Sequence, residues 1–178
     1  MGGQFVNRGL TKIDERNDPT RREIEVLWYT GSNMQNRDIR KFVEVIYRNF
    51  EEIATVTELN HNRKEIKKVL TSPTCLILIA TFGGSIISYL IADLVVYNNR
   101  LLMHIYYIFT ALGYRNKGVA TFLLNQTQDY ADTYDCSALS LTYDTFNHDL
   151  AKYYISNGFT YDPELKTGQR YDALVKFI

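Results

Sequence analysis

Residues 108–124 read IFTALGYRNKGVATFLL, and this stretch predicts a strand, a short turn and a helix. The run 101–110 is apolar, aromatic and β-branched, which is typical of a strand, and it stops before Gly113. A helical pattern begins near Lys117, because Val119, Phe122, Leu123 and Gln126 then follow at helical spacing, with Ala120 and Leu124 beside them.

The turn itself, residues 115–120, has the features of a phosphate-binding site. Where a turn enters a helix, several backbone N–H groups lack a partner, and the positive end of the helix dipole points outward. Such groups bind phosphate. Gly118 has no Cβ and lets a phosphate approach the backbone, while Arg115 and Lys117 add positive charge at the rim.

This turn resembles the acyl-CoA-binding motif of the GCN5-related N-acetyltransferases, the GNAT superfamily. The family motif is Arg or Gln, two residues, Gly, one residue, and then Gly or Ala. Arg115, Gly118 and Ala120 occupy these positions. Two departures accompany the match: Leu112 stands where the family often has Pro, and Thr110 where it often has Val. Neither departure removes a backbone donor.

A second segment, residues 147–159, is similar to the later helix of the same family. That helix carries Asn, then Tyr seven residues on, and then Gly-Phe. In this chain they are Asn147, Tyr154 and the pair Gly158-Phe159. Because the order and the separation of the two motifs also fit, together they make the resemblance specific over the C-terminal half of the chain.

The resemblance implies a GNAT-like fold, which is an α/β fold with a mixed sheet flanked by helices, and acetyl-CoA as co-substrate. It implies that the strand before the turn parts from its neighbour and offers backbone groups to the pantetheine arm. The implied cofactor-binding residues are Ile108, Phe109, Thr110, Arg115, Asn116, Lys117, Gly118, Val119, Ala120, Thr121, Asn147 and Tyr154. For Asn147, capping of the later helix is an alternative role that needs no ligand.

Catalysis by this family requires an acid for the departing CoA thiolate and a base for the amine. The resemblance assigns the acid to Tyr154, although a tyrosine at helical spacing is also typical of a packed core. Many relatives carry a Glu base on the strand before the turn, but residues 100–110 contain no acid. His104 lies on that strand and is a candidate base, since its ordinary pKa is near 6.5. Other candidates that the sequence leaves open are Asp93, Glu58 and Asp144.

Composition narrows the classes of function. The chain has 178 residues, 46% of them hydrophobic, with 20 basic and 20 acidic side chains. A balanced charge argues against nucleic acid as the main partner. Cys75 and Cys136 lie in apolar runs and are expected to be buried free thiols. The sequence has no CxxC pair and no His/Cys cluster, so no metal is expected.

The remaining chain predicts one domain, residues 23–178, after a flexible N-terminal arm, residues 1–22. Strands are expected near 23–30, 75–82, 85–97, 100–110, 138–142 and 171–177, with helices near 37–52 and 62–70. The pairs Gly83-Gly84 and Asn98-Asn99 predict turns. No segment has the length of a membrane span, and the Gly2 myristoylation pattern fails at Val6, so a cytoplasmic protein is expected.

The expected function is N-acetyl transfer from acetyl-CoA to a primary amine by direct attack in a ternary complex. The acceptor is left open between a small amine, a protein N-terminus and a lysine. An alternative is a non-catalytic acyl-CoA-binding module that acts through protein contacts, and a nucleic-acid-binding module ranks third. A homodimer is a further possibility that the sequence does not test.

Overall fold

The computed structural model describes residues 24–56, 59–165 and 170–178, which form one seven-stranded sheet with helices on both faces. The strands are β1 (Ile24–Thr30), β2 (Leu76–Phe82), β3 (Ser85–Tyr97), β4 (Arg100–Thr110), β5 (Ala138–Asp144), β6 (Thr160–Tyr161) and β7 (Tyr171–Phe177). The helices are α1 (Asn36–Asn49), α2 (Arg63–Leu70), α3 (Val119–Asp132) and α4 (His148–Ser156). The predicted mixed α/β fold is therefore confirmed.

The strand order in the sheet is β1-β2-β3-β4-β5-β7-β6. The pair β4 and β5 runs parallel, and every other neighbouring pair among the described strands runs antiparallel. A parallel pair needs a crossover, and α3 supplies it between β4 and β5. This crossover places the N-terminus of α3 just beyond the end of β4.

Both predicted hairpins have two-residue loops with left-handed backbone. Gly83 and Gly84 have φ of 57° and 79°, and Asn98 and Asn99 have φ of 47° and 60°. These angles correspond to the turn geometry that matches the twist of antiparallel strands. The sequence therefore located the β2–β3 and β3–β4 connections correctly.

Three element boundaries differ from the prediction by two residues or more. α3 begins at Val119 and not near Lys117, because Asn116 (φ 59°) and Gly118 (φ 78°) have left-handed backbone that a right-handed helix excludes. α1 ends at Asn49, and a separate 3₁₀ turn, Glu51–Ile53, follows. β5 extends to Asp144, two residues beyond the prediction. The predicted arm 1–22, together with residue 23, lies outside the described residues.

Two hydrophobic layers cover the two faces of the sheet. On one face, α3 and α4 bury residues such as Val119, Leu123 and Ala151 against β2 to β5. On the other face, α1 and α2 bury Ile46 and Ile66 against β2 and β3. Burying one such aliphatic side chain contributes about 1.5–3 kcal/mol. The sheet thus separates an α3/α4 face from an α1/α2 face.

Two further predictions can be compared with the structure. Cys75 and Cys136 are free and buried, as expected. Within the described part of the chain, no helix combines the length and the apolar character that crossing a membrane requires.

Candidate active site

A gap opens between the two parallel strands in the middle of the sheet. The β4–β5 ladder runs from the pair Leu102 and Ala138 to the pair Ile105 and Leu141, and it ends there. β4 nevertheless continues to Thr110, and β5 continues to Asp144 while it stays paired with β7. Residues 106–110 of β4 therefore have no strand partner on the side of β5, as the resemblance implied.

A β-bulge in β4 coincides with the start of this gap. Ala92 of β3 pairs with Ile105, but its neighbour Ile91 pairs with Tyr107, so Tyr106 is the extra residue. A bulge bends its strand and increases the local twist, which turns β4 away from β5. No glycine or proline in residues 100–110 indicated this bulge, and sequence reasoning missed it.

The β3 side of β4 remains closed beyond the bulge. The Ser88 hydroxyl donates to the carbonyl oxygen of Phe109 at 2.6 Å, and the Ala111 N–H donates to the carbonyl of Ile87 at 2.8 Å. Ser88 itself is fully buried. The end of β4 is thus held firmly to β3, which leaves the gap as the open edge of this strand.

The predicted phosphate nest lies at the end of β4 and is exposed. A short 3₁₀ turn, Leu112–Tyr114, leads from the strand to Gly118, which is the N-cap of α3 and makes no side-chain cap. The first N–H groups of a helix have no partner within the helix. A Cβ at Gly118 would meet nothing within 4 Å, so its positive φ, and not crowding by the protein, is what favours glycine.

Arg115 and Lys117 are both exposed at the rim of the nest, as predicted. The Nε of Arg115 donates to the carbonyl of Thr110 at 3.0 Å, which fastens the turn to the end of β4. The ammonium group of Lys117 lies 5.7 Å from the centre of the Tyr114 ring. Positive charge therefore surrounds the start of α3.

Tyr154 projects from α4 into the layer between the sheet and α3. It is 4% exposed, and its ring lies 5.3 Å from that of Tyr153 and 5.7 Å from that of Phe159. Within the described ranges, no hydrogen-bond partner is found for its hydroxyl. Burial, and then the neighbouring Tyr153, raise the pKa of Tyr154 above its ordinary value, so the phenol keeps its proton.

Neighbouring contacts join α4 to α3 and cap α4. The hydroxyls of Tyr153 and Thr121 are 3.3 Å apart. The side-chain oxygen of Asn147 accepts from the N–H of Leu150 at 3.0 Å, so its predicted capping role is confirmed. Asn147 is exposed and lines a shallow depression together with Asp144, Phe146, His148, Asp149 and Lys152. Its contact with a cofactor stays a prediction.

His104 lies next to the point where the strands part. It forms the penultimate β4–β5 pair with Ser140, and its Nδ1 is 3.0 Å from the Ser140 hydroxyl. Its ring meets that of Tyr106 edge-on at 4.7 Å. Burial lowers the pKa of His104 to about 4, so the imidazole is neutral near pH 7 and has a lone pair available.

The other candidate bases have different surroundings. Asp93 is buried and accepts from the Thr74 hydroxyl at 2.6 Å and from the Leu94 N–H. Asp144 accepts from Arg170 at 2.7 Å, and this hydrogen bond holds the pKa of Asp144 below its ordinary value. Arg170 thus occupies the Asp144 carboxylate, and Thr74 and Leu94 occupy that of Asp93. Glu58 lies outside the described residues.

A second histidine, which the sequence analysis did not select, lies on the α1/α2 face. His61 is 5% exposed, and its Nδ1 is 3.1 Å from the hydroxyl of Tyr107, the residue that follows the bulge. Burial lowers the pKa of His61. Local sequence patterns could not predict this contact, because its two residues are 46 positions apart in the chain.

The structure therefore brings the predicted strand end, residues 108–110, next to the predicted nest, residues 115–121, with the α4 tyrosine packed in the same layer as α3. His104 lies one residue before the last β4–β5 pair. Among the residues that the structure describes, no group of three or more His, Cys, Asp or Glu side chains could hold a metal ion.

Comparison with known proteins identifies the family. Residues 37–159 match the model of the acetyltransferase (GNAT) family. The chain belongs to this family. The match covers α1 to the end of α4 and includes both motifs that carried the resemblance. No curated protein matches the sequence.

Solved structures of GNAT acetyltransferases share the fold at low sequence identity. The NatC complex bound to Gag peptide and CoA is 17% identical, with a TM-score of 0.63, covering 86% of this chain and 99% of that chain. Arabidopsis thaliana NAA60 in complex with a bisubstrate analogue is 16% identical, with a TM-score of 0.61 and coverage of 86% and 98%. PaiA N-acetyltransferase from Thermoplasma acidophilum, in complex with coenzyme A, is 14% identical, with a TM-score of 0.60 and coverage of 87% and 99%.

Proposed function

We propose that this protein is an N-acetyltransferase that moves an acetyl group from acetyl-CoA to a primary amine in a ternary complex. Membership of the GNAT family supports this function. The observation that carries the proposal is the end of the β4–β5 ladder at Ile105 and Leu141, with the open start of α3 directly beyond β4. An open strand edge and a phosphate nest suit the two halves of a CoA molecule.

On the donor side, the pantetheine arm lies along residues 108–110, at the edge of β4 that β5 leaves unpaired. The pyrophosphate binds the N–H groups at the start of α3, and Arg115 and Lys117 supply compensating charge. Asn116, Val119, Ala120 and Thr121 belong to the same turn and complete the cofactor contacts, and Asn147 touches the cofactor from the start of α4.

On the acceptor side, the neutral amine attacks the thioester carbonyl carbon, and a C–N bond forms. A backbone N–H near Phe109 stabilises the oxyanion. His104, directly or through water, takes the proton that the amine nitrogen loses. The intermediate then collapses, the C–S bond breaks, and the CoA thiolate takes a proton from Tyr154.

Mass spectrometry tests this function directly. The protein is incubated with acetyl-CoA and a panel of polyamines, amino sugars, peptides with free N-termini and peptides with internal lysines. An acetyl mass increment on one class, dependent on protein, is the expected result and identifies the acceptor. CoA binding without any acetylated product would favour the non-catalytic CoA-binding module instead.

A further inference from the structure

Tyr107 lies beside the gap but has no role in the acetyl-transfer steps described above. It lies in the section of β4 that has no β5 partner, immediately after the bulge residue. Its half-buried ring lies 5.3 Å from Phe50 and 5.6 Å from His61, so it projects onto the α1/α2 face. The start of α3 and Tyr154 lie on the opposite face of the sheet, so the proposed CoA thioester reaches the gap from that face. An amine that attacks the thioester from the α1/α2 face then passes Tyr107.

A chain of hydrogen bonds fixes the direction of the Tyr107 hydroxyl. The Nε2 of His61 lies 3.4 Å from the carbonyl oxygen of Tyr47, and because a carbonyl only accepts, Nε2 carries the proton. Neutral Nδ1 is then an acceptor, so the Tyr107 hydroxyl donates to it at 3.1 Å. The His61 ring is stacked on Tyr47 at 5.4 Å with an interplanar angle of 4°, which fixes its orientation.

With its proton committed to His61, the Tyr107 oxygen has lone pairs for a further partner and can only accept. We propose that Tyr107, oriented by His61, is a specificity-determining residue that accepts a hydrogen bond from an N–H of the acceptor amine. This inference rests on the proposed function and names the group that recognises its acceptor. The Tyr107 hydroxyl would favour acceptor groups that donate a hydrogen bond, such as primary amines, over groups that only accept one.

The charges nearby are compatible with an amine at this position. The Arg63 guanidinium lies 3.8 Å from the centre of the Tyr47 ring, but it is paired with Glu44 through two hydrogen bonds of 2.7 and 3.1 Å. The positive charge of Arg63 is therefore compensated by Glu44 and repels an incoming ammonium group less than an unpaired guanidinium would.

Tyr89 offers a matched control on the same face of the sheet. Its hydroxyl accepts from the side-chain N–H of Asn49 at 3.1 Å, and it is fully buried. Removal of the Tyr89 hydroxyl breaks a comparable bond between the sheet and the helical layer, but no ligand can reach that site. A purely structural role for Tyr107 would make the two Tyr→Phe variants behave alike.

The test is an NMR titration of the CoA-loaded protein with n-butylamine, with CoA replacing acetyl-CoA so that no transfer occurs. Tyr107→Phe is expected to weaken amine affinity about five- to tenfold, the effect of one hydrogen bond. Tyr89→Phe is expected to bind amine like the parent, and both variants are expected to keep parental CoA affinity. The ¹⁵N chemical shifts of the His61 ring should show an unprotonated Nδ1.

Several results would overturn the inference. They are equal amine affinity in Tyr107→Phe and the parent, equal weakening in Tyr107→Phe and Tyr89→Phe, a proton on Nδ1 of His61, and no amine binding by the parent. Amine binding that depends on Tyr107, combined with no acetyl transfer to any amine, would count against the proposed function and leave this recognition intact.

Discussion

Ile105 and Leu141 form the last residue pair between β4 and β5, and beyond them the two strands part. Tyr106, the residue after Ile105, is the bulge residue. The register shift between β4 and β3 therefore occurs at the same point of β4 as the end of its pairing with β5. The gap is therefore part of the strand geometry.

Acetyl-CoA is expected to stabilise the folded protein. A ligand that binds the native state alone adds about 2.7 kcal/mol of stability at 100 times its Kd. For a domain of this size, each kcal/mol raises the Tm by about 2–4 °C, so we expect a shift of about 5–10 °C. Thermal denaturation with and without acetyl-CoA measures it, and an unchanged Tm at saturating ligand would contradict the proposed nest.

The substitution Gly118→Glu is expected to abolish CoA binding, because it places a carboxylate where the pyrophosphate meets the start of α3. A glutamine side chain has nearly the shape of glutamate and causes the same backbone strain, but it carries no charge. Gly118→Gln therefore distinguishes electrostatic repulsion of the pyrophosphate from steric blocking. Gly84→Glu is the control for stability, because the two glycines have similar surroundings. Gly84 has φ of 79° and Gly118 has φ of 78°, and a Cβ added at either position would meet no atom within 4 Å. Calorimetric titration with CoA measures the affinities.

We expect Gly84→Glu to keep parental affinity and to lose as much stability as Gly118→Glu. Parental affinity in Gly118→Glu would mean that the phosphate groups bind at a different turn. A loss of folding in Gly118→Glu without a loss in Gly84→Glu would make the position structural.

Tyr154→Phe is expected to lower kcat by at least about tenfold, toward the lower end of the range for general acid catalysis, because water substitutes in part. The ring stays, so packing against Phe159 changes little, and acetyl-CoA affinity is retained. Because burial raises the pKa of Tyr154 above its usual value near 10, its hydroxyl keeps its proton in alkaline assays. Activity should therefore not decline through ionisation of Tyr154.

Tyr153→Phe is the matched control on the same helix, and its hydroxyl contacts Thr121. We expect a parental kcat from this variant. Initial rates under conditions where chemistry limits turnover compare the two. A parental kcat in Tyr154→Phe, with a loss in Tyr153→Phe, would transfer the role of the acid to Tyr153.

The stability of the protein is expected to fall between about pH 6.5 and pH 4. The pKa of His104 is lowered to about 4 in the folded state, so in this window the unfolded chain binds a proton that the folded protein does not. Stability is thus fully present above pH 6.5, and on the order of 3 kcal/mol of it is lost on acidification through the folded-state pKa.

His104→Asn is expected to reduce this pH dependence, and His61 is expected to retain part of it, because burial lowers its pKa too. Urea denaturation of parent and variant at several pH values gives the free energies of unfolding. Equal slopes in the two proteins would show that His104 titrates normally and is exposed to solvent.

The sequence predicted the order of the elements and both two-residue hairpins because these features depend on local patterns. Apolar alternation, Gly83-Gly84 and Asn98-Asn99 each act within a few residues of the chain. The start of α3 was two residues off, since the left-handed backbone at Asn116 and Gly118 is a property of the turn that apolar periodicity does not report.

The candidate site was predicted in part. The motifs located the turn and Tyr154, but the bulge at Tyr106 and the pair of His61 with Tyr107 are long-range features. A bulge in a run of β formers leaves no compositional trace, and a hydrogen bond across the α1/α2 layer joins residues far apart in sequence. The pairing of Asp144 with Arg170 was equally hidden, and it occupies the carboxylate of one candidate base.

The most direct test of the central claim is a crystal structure of the protein with acetyl-CoA. We predict that the pantetheine arm lies between residues 108–110 of β4 and residues 142–144 of β5. The pyrophosphate should contact the N–H groups at the start of α3, and the sulfur should lie within hydrogen-bonding distance of the Tyr154 hydroxyl. A cofactor bound outside this gap, or a gap closed by new β4–β5 pairing with the cofactor elsewhere, would contradict the account.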